Sequence, residues 1–171
     1  MSKTDIKNEI EKIVINSGIG RLSTQASFEE KVLPEVMREF SMITGQKPSP
    51  REARQSIAGF KIREGSVVGL VVTLRGKRMV DFWEKLVNIV LPRIRDFRGI
   101  PLQNVDTAGN LNIGIKDYLV FPETNAEASK VNFGVQVTAI PTHVKDRAGA
   151  IAMYRALGVP LKKEEEKKNK K

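Results

Sequence analysis

Cysteine is absent from this 171-residue chain, and histidine and tryptophan occur once each. Without cysteine there is no disulfide framework and no thiolate zinc site, which suits a reducing, cytoplasmic setting. The single histidine, His143, lies close to Pro141 with no second imidazole, a pattern that fits a surface residue better than a ligand or a base. Long apolar runs are missing too. The longest, Val67–Val72, is interrupted by Gly69, far short of the roughly 20 residues a membrane helix needs. The opening MSKTDIKNEIEK lacks the apolar core of a secretory signal, and no repeat of solenoid period is found. Asp81 and Glu84 stand among Lys77, Arg78 and Lys85, as ion pairs on a helix surface do. Gly18-Ile19-Gly20 and Gly65 with Gly69 complete neither a dinucleotide fingerprint nor a Walker loop. No nucleophile or acid–base set is assembled, so neither catalysis nor a cofactor is expected.

What is present is positive charge, and it is local. The formal net charge is +9 with a pI near 9.9. The stretch Gln46–Arg98 holds 12 Lys or Arg against 5 Asp or Glu, whereas residues 1–45 and 99–161 are close to neutral. Arg outnumbers Lys there, and its planar fork suits bidentate phosphate contacts. The charges sit beside glycines, where a backbone can approach a phosphate closely. Phe60 and Phe97 lie between basic residues, placed to stack on unpaired bases. A basic field of this kind fits a polyanion, most often nucleic acid; on charge alone an acidic protein partner stays open.

The hydrophobic pattern predicts the fold. Residues 1–10 are polar and expected to be loosely ordered, 11–161 to form one domain, and 162–171 (KKEEEKKNKK) to be a disordered charged tail. Lys12–Asn16 predicts a strand, closed by the Gly18-Ile19-Gly20 loop. Ser27 and Glu30 offer a capping box for a helix through Thr44, with Gly45 at its C-terminal cap and Pro34 either kinking it or marking its start. Lys47–Pro50 is extended. Phe60–Arg63 and Val67–Leu74 read as a strand pair around Gly65, and Arg75–Arg78 as a basic corner. Met79, Phe82, Trp83, Leu86, Ile89 and Val90 give the stripe of a second helix that Pro92 stops, before a basic loop at Arg93–Arg98. Thr107–Asn110 is a turn into a strand at Leu111–Ile115. Asn125–Ser129 is a polar loop. Val131–Ile140 alternates apolar and polar, so one face meets the core and the other solvent or a partner. Asp146 caps a last helix with Ile151, Ala152 and Leu157 inward and Gly158 at its stop. The class is α+β in two layers: a mostly antiparallel sheet with helices packed on one face, the other face free.

Six segments in register carry a resemblance: IVINSGIG at 13–20, ITGQKP at 43–48, SIAGFKIREG at 56–65, VTLRGKRM at 72–79, LPRIRDFRG at 91–99 and GNLNIGIKDYLVFPE at 109–123. Together they resemble the bacterial family of large-subunit ribosomal protein five, over about residues 10–161. The resemblance implies a non-enzymatic protein of the cytoplasmic ribosome that binds 5S ribosomal RNA in the central protuberance, beside 23S ribosomal RNA and other ribosomal proteins there. It also implies contact with peptidyl-site transfer RNA and a bridge to small-subunit ribosomal protein thirteen, here through the loops around Thr107–Asn110 and Thr142–Arg147. The implied rRNA-binding residues are Asn16, Gly18, Gln46, Lys47, Thr73, Arg75, Gly76 and Arg78, with Arg93, Arg95 and Arg98 facing ribosomal RNA. The arm at Ala58–Glu64 is implied to reach transfer RNA through Gly59, Phe60, Lys61, Ile62 and Arg63. Against the family pattern, ten polar residues replace an N-terminal helical segment and Ser17 replaces a Met. The basic pair before SIAGF is reduced to Arg54-Gln55, the turn at Thr107–Asn110 lacks its Arg, and the tail is longer. Read without the resemblance, an RNA-processing or RNA-modifying enzyme and a basic protein-interaction module remain open as other classes.

Overall fold

A computed structural model describes residues 3–23, 27–124, 131–144 and 146–162. The polar loop expected at Asn125–Ser129 and nearly all of the charged tail lie outside them. Five strands, β1 (Ile10–Gly18), β2 (Ser49–Glu52), β3 (Val67–Leu74), β4 (Leu111–Ile115) and β5 (Val135–Pro141), form one sheet. Its order is β2-β3-β1-β5-β4, with every neighbouring pair antiparallel. The helices are α1 (Lys3–Glu9), α2 (Leu33–Thr44), α3 (Gly76–Lys85), α4 (Leu91–Arg93) and α5 (Arg147–Ala156).

The register explains the two layers. Ile13 pairs with Leu74 and Ala139, Ile15 with Val72 and Val137, and Ile113 with Val137; all are buried on one face. Side chains alternate along a strand, so this row meets the helices. Val36, Phe40 and Ile43 of α2, Met79, Phe82 and Trp83 of α3, and Ala150, Met153 and Tyr154 of α5 complete one continuous core. Tyr118 stacks on Phe133 at 4.1 Å between ring centres, and Trp83 meets Tyr154 at 6.1 Å. The Tyr154 hydroxyl contacts the carbonyls of Gly109 and Ala139 at 3.1 and 3.0 Å, and burial pushes its pKa well above the usual phenol range.

Several expectations are corrected. The N-terminal residues are a helix: α1 buries Ile6 completely and sets Lys3 against Asp81 and Glu84 of α3 at 3.4 and 3.2 Å. Ser27 makes no capping box; it takes a left-handed backbone, φ 58°, with no side-chain cap bond. Pro34 falls in the first turn of α2, so it marks the helix start as one of its two expected readings had it, and Pro92 is followed by one further helical residue, Arg93. Each follows a Val-Leu pair, and each is preceded by a π-helical turn, Phe28–Val32 and Leu86–Val90, in which the next N–H reaches five residues back, Leu33 to Phe28 and Leu91 to Leu86. The wide turn moves aside the carbonyl that the proline ring would strike. The rod that starts at Gly76 therefore runs through Pro92 to Arg93, where Ile94 turns extended. Ile89 and Ala152 face solvent instead of the core. β2 is a fully exposed edge strand with Pro50 in it. β5 begins only at Val135, although the burial alternation extends back to Phe133. β3 and β4 have the expected bounds, Gly45 and Gly158 take the left-handed conformations expected at helix ends, and the Asp146 carboxylate accepts the Gly149 N–H at 2.8 Å.

Candidate nucleic-acid interface

The face of the sheet opposite the helices carries Lys12, Val14, Asn16 and Gly18 of β1, Gly69, Val71 and Thr73 of β3, Ser49 and Arg51 of β2, Asn112 and Gly114 of β4, and Gln136 and Thr138 of β5. Each of these is exposed or half-buried. Val14 lies opposite Thr73 and Thr138, Asn16 opposite Gln136, and Gly18 opposite Gly69. Thr138 donates to the Asn112 amide oxygen at 2.8 Å. Gly18 lies in the strand and not in the closing loop expected there; neither it nor Gly20 has a positive φ, and a Cβ on Gly18 would meet nothing within 4 Å. What the glycine provides is a bare stretch of backbone on the open face. Ser17 points the other way, buried, and donates to the Gly134 carbonyl at 2.6 Å. The departure at this position is thus a tie within the fold.

At the end of β3 the chain turns sharply into α3. Gly76, φ 59°, makes the turn, and Arg75, Gly76, Lys77 and Arg78 are all exposed. Arg75 reaches the Glu11 carboxylate at 3.1 Å, and Lys12 lies 3.3 Å from the same oxygen. The Arg75 hydrogen bond is the chief cause that holds Glu11 below the ordinary carboxylate range. Arg78 lies 3.5 Å from the Gln46 side-chain oxygen. Thr44 fixes the next turn by donating to the Gln46 carbonyl at 2.9 Å, and Lys47 is exposed beside it. Asn16, Gly18, Gln46, Lys47, Thr73, Arg75, Gly76 and Arg78 are therefore brought together as one open face and its adjoining corner.

Arg93 and Arg95 are not part of that group. Arg93 ends the α3–α4 rod and Arg95 lies just past it, roughly 25 Å from Gly76 at 1.5 Å per residue. Arg93 approaches the Val120 carbonyl at 3.5 Å. Phe97 is half-buried and packs partly against the core.

The arm is a third unit. The strand expected at Phe60–Arg63 is instead a single bridge, Ile57 to Ile62, around a 3₁₀ turn at Ala58–Phe60. Gly59 and a left-handed Lys61, φ 54°, curl the tip too tightly for a ladder. The base is tied by Ala53 to Ser66 at 2.9 Å and Gly65 to Ala53 at 3.0 Å. Gly59, Phe60, Lys61 and Arg63 are exposed, Ile62 is half-buried, and Phe60 retains 70% of its surface in solvent. Ile57 at the base of the arm is also half exposed, at 48%.

No cluster able to hold a metal ion occurs among the described residues, and His143 is exposed. Asp81 and Glu84 pair with Lys3, which sequence spacing did not reveal. The other half of the open face, Asn112, Gln136 and Thr138, was not singled out from the sequence, although the alternation of residues 131–140 marked the polar side of β5.

Two family models match the chain: Ribosomal protein L5 over residues 7–63, and the C-terminus of the same ribosomal family over residues 67–161. The chain belongs to the ribosomal protein L5 family. It is 42% identical to the large ribosomal subunit protein uL5 of Fusobacterium nucleatum over 168 residues, 95% of this chain and 89% of that protein. It is 46% identical to uL5c of Guillardia theta over 153 residues, 90% and 82% of the two chains. To uL5 of Wigglesworthia glossinidia brevipalpis it is 42% identical over 155 residues, 91% and 84%. L5 proteins are structural proteins of the large ribosomal subunit, not enzymes, and rRNA binding and a place in the cytoplasmic ribosome follow from that membership. α1 lies partly within the region matched to L5, which begins at residue 7.

Proposed function

We propose that the open sheet face and the β3–α3 corner anchor 5S ribosomal RNA, and that the arm separately contacts peptidyl-site transfer RNA. The observation that carries this is the separation of exposed basic and polar groups into a flat uncovered face and a projecting tip, with no helix over either among the described residues. On the sheet, Asn16 and Thr73 offer amide and hydroxyl groups to phosphate or 2′-OH. Gly18, Gly69 and Gly114 allow a strand of RNA close to the backbone, and Arg75, Arg78 and Lys47 supply charge at the rim. On the arm, Phe60 presents a ring and Lys61 and Arg63 present cations. Arg93, Arg95 and Arg98 form a further basic site, assigned here to 23S ribosomal RNA. The loops at Thr107–Asn110 and Thr142–Arg147 are assigned to small-subunit ribosomal protein thirteen. They are neighbours in space: a Cβ on Gly109 would stand 3.3 Å from the Val144 carbonyl. Asp106 holds the first loop by accepting from the Asn110 backbone and side chain, each at 2.8 Å, so the turn forms without the family's Arg.

Binding of purified protein to 5S RNA, against an unrelated RNA of equal length, tests the reading. If about six phosphates are neutralised, affinity should fall roughly 10³-fold between 50 and 200 mM salt. Arg75→Ala should weaken 5S binding, whereas Lys61→Ala with Arg63→Ala should spare it and shorten the residence of transfer RNA on the ribosome. Equal losses in both variants, or a flat salt titration, would show the surfaces to be wrongly divided.

A further inference from the structure

Beside the arm lies a cleft of about 370 Å³ lined by Gly20, Arg21, Gly59, Phe60, Lys61 and Ile62, within the roughly 300–1,000 Å³ range of ligand sites. Two segments some forty residues apart in sequence make it. The arm supplies one wall, and the turn after β1 supplies the other. That turn is firmly built: Ile19 donates to Val68 at 2.9 Å, Leu22 and Ser23 donate back to Ile19 at 2.8 and 3.1 Å, and the Ser23 hydroxyl donates to Gly20 at 2.7 Å. A Cβ on Gly20 would be in ordinary contact, 3.5 Å, with the Ile62 side chain. The arm therefore rests on the turn and is not a free flap. Arg21 is exposed on this turn and Lys61 on the facing tip. The cleft lining contains two cations, Arg21 and Lys61, and a largely exposed aromatic ring.

We infer that Arg21 belongs to the arm's RNA site and that the cleft takes one unpaired nucleotide, with its phosphate between Arg21 and Lys61 and its base against Phe60. This rests on the reading of the arm as a transfer RNA contact and adds to it a residue from outside the arm. A positive groove with an aromatic ring in it is the arrangement single-stranded RNA uses, since every base has a π-face and every linkage a negative charge. An acidic protein segment would satisfy the two cations but would leave the Phe60 ring without a flat partner.

The test uses whole ribosomes carrying the variant protein, with transfer RNA in the peptidyl site. Arg21→Gln and Lys61→Gln should each speed transfer RNA dissociation, roughly tenfold for loss of one charge-assisted hydrogen bond. Each should also lower the salt slope by about one, and Arg21→Lys should restore the slope. Binding to 5S RNA and the melting temperature should not change. If Lys61→Gln moves the slope and Arg21→Gln does not, the assignment of Arg21 is overturned while the arm reading stands. If neither moves it, the arm reading itself fails. Because the chain has no other thiol, Arg21→Cys carrying a short photo-crosslinker gives a second readout: a crosslink to transfer RNA supports the inference, and a crosslink only to protein overturns it.

Discussion

Lys61 combines charge with an unfavourable backbone. Its left-handed φ of 54° costs a residue with a Cβ roughly 1–2 kcal/mol, which glycine does not incur. Lys61→Gly should therefore raise stability in urea by up to about 1 kcal/mol while weakening the transfer RNA contact as much as Lys61→Ala does. A stability unchanged by the glycine would mean that the tip relaxes to another conformation in solution. The identities of Phe60, Lys61 and Arg63 were legible in the sequence as a basic segment around an aromatic. Their geometry was not, because a run such as FKIR has strand propensity and only the neighbouring glycine and the Ile57–Ile62 bridge close it into a tip. Arg21 was not legible at all: it stands alone in its stretch, and only folding brings it to the arm.

Among the elements, the strands that read most clearly were those buried on one face. β3 shows as an apolar run bounded by turn residues and β4 as an apolar alternation, and both have the bounds that the pattern predicts. β2 offers no such signal because all of its residues face solvent. α1 was hidden for a different reason. KTDIKNE holds one apolar residue, too few for a stripe, and the helix exists because Ile6 finds the core. Ile6→Ala should destabilise the fold by about 2–4 kcal/mol, whereas Lys3→Ala, which removes only surface ion pairs, should have a much smaller effect; chemical denaturation distinguishes the two. At α5, Tyr154→Phe leaves two buried carbonyls without their shared donor and should cost about 1–3 kcal/mol. The wild-type phenol stays neutral in the fold while its unfolded counterpart ionises near its ordinary pKa. Its contribution is therefore complete below about pH 10 and is lost as pH rises through the higher folded value. The Phe variant should show less of this alkaline loss.

For the whole molecule, charge counting detected one basic block where the fold makes three surfaces. Gln46–Lys47 and Arg75–Arg78 meet at one corner, the arm projects between them in sequence but apart from them in space, and Arg93–Arg98 lies at the other end of the α3–α4 rod. Pro92 located the end of the rod to within one residue, whereas the π turn before it leaves no mark on hydrophobic periodicity. The uninterrupted rod from Gly76 to Arg93 has a consequence for assembly. On the proposed assignments, one end rests on 5S RNA and the other on 23S RNA. A rigid spacer by itself does not couple two separate RNAs. Where the two RNAs are already joined by another contact, the second site is held at a fixed reach, and an effective concentration in the millimolar range then replaces that of the free protein, so the protein clamps the joined pair although nothing in it changes shape.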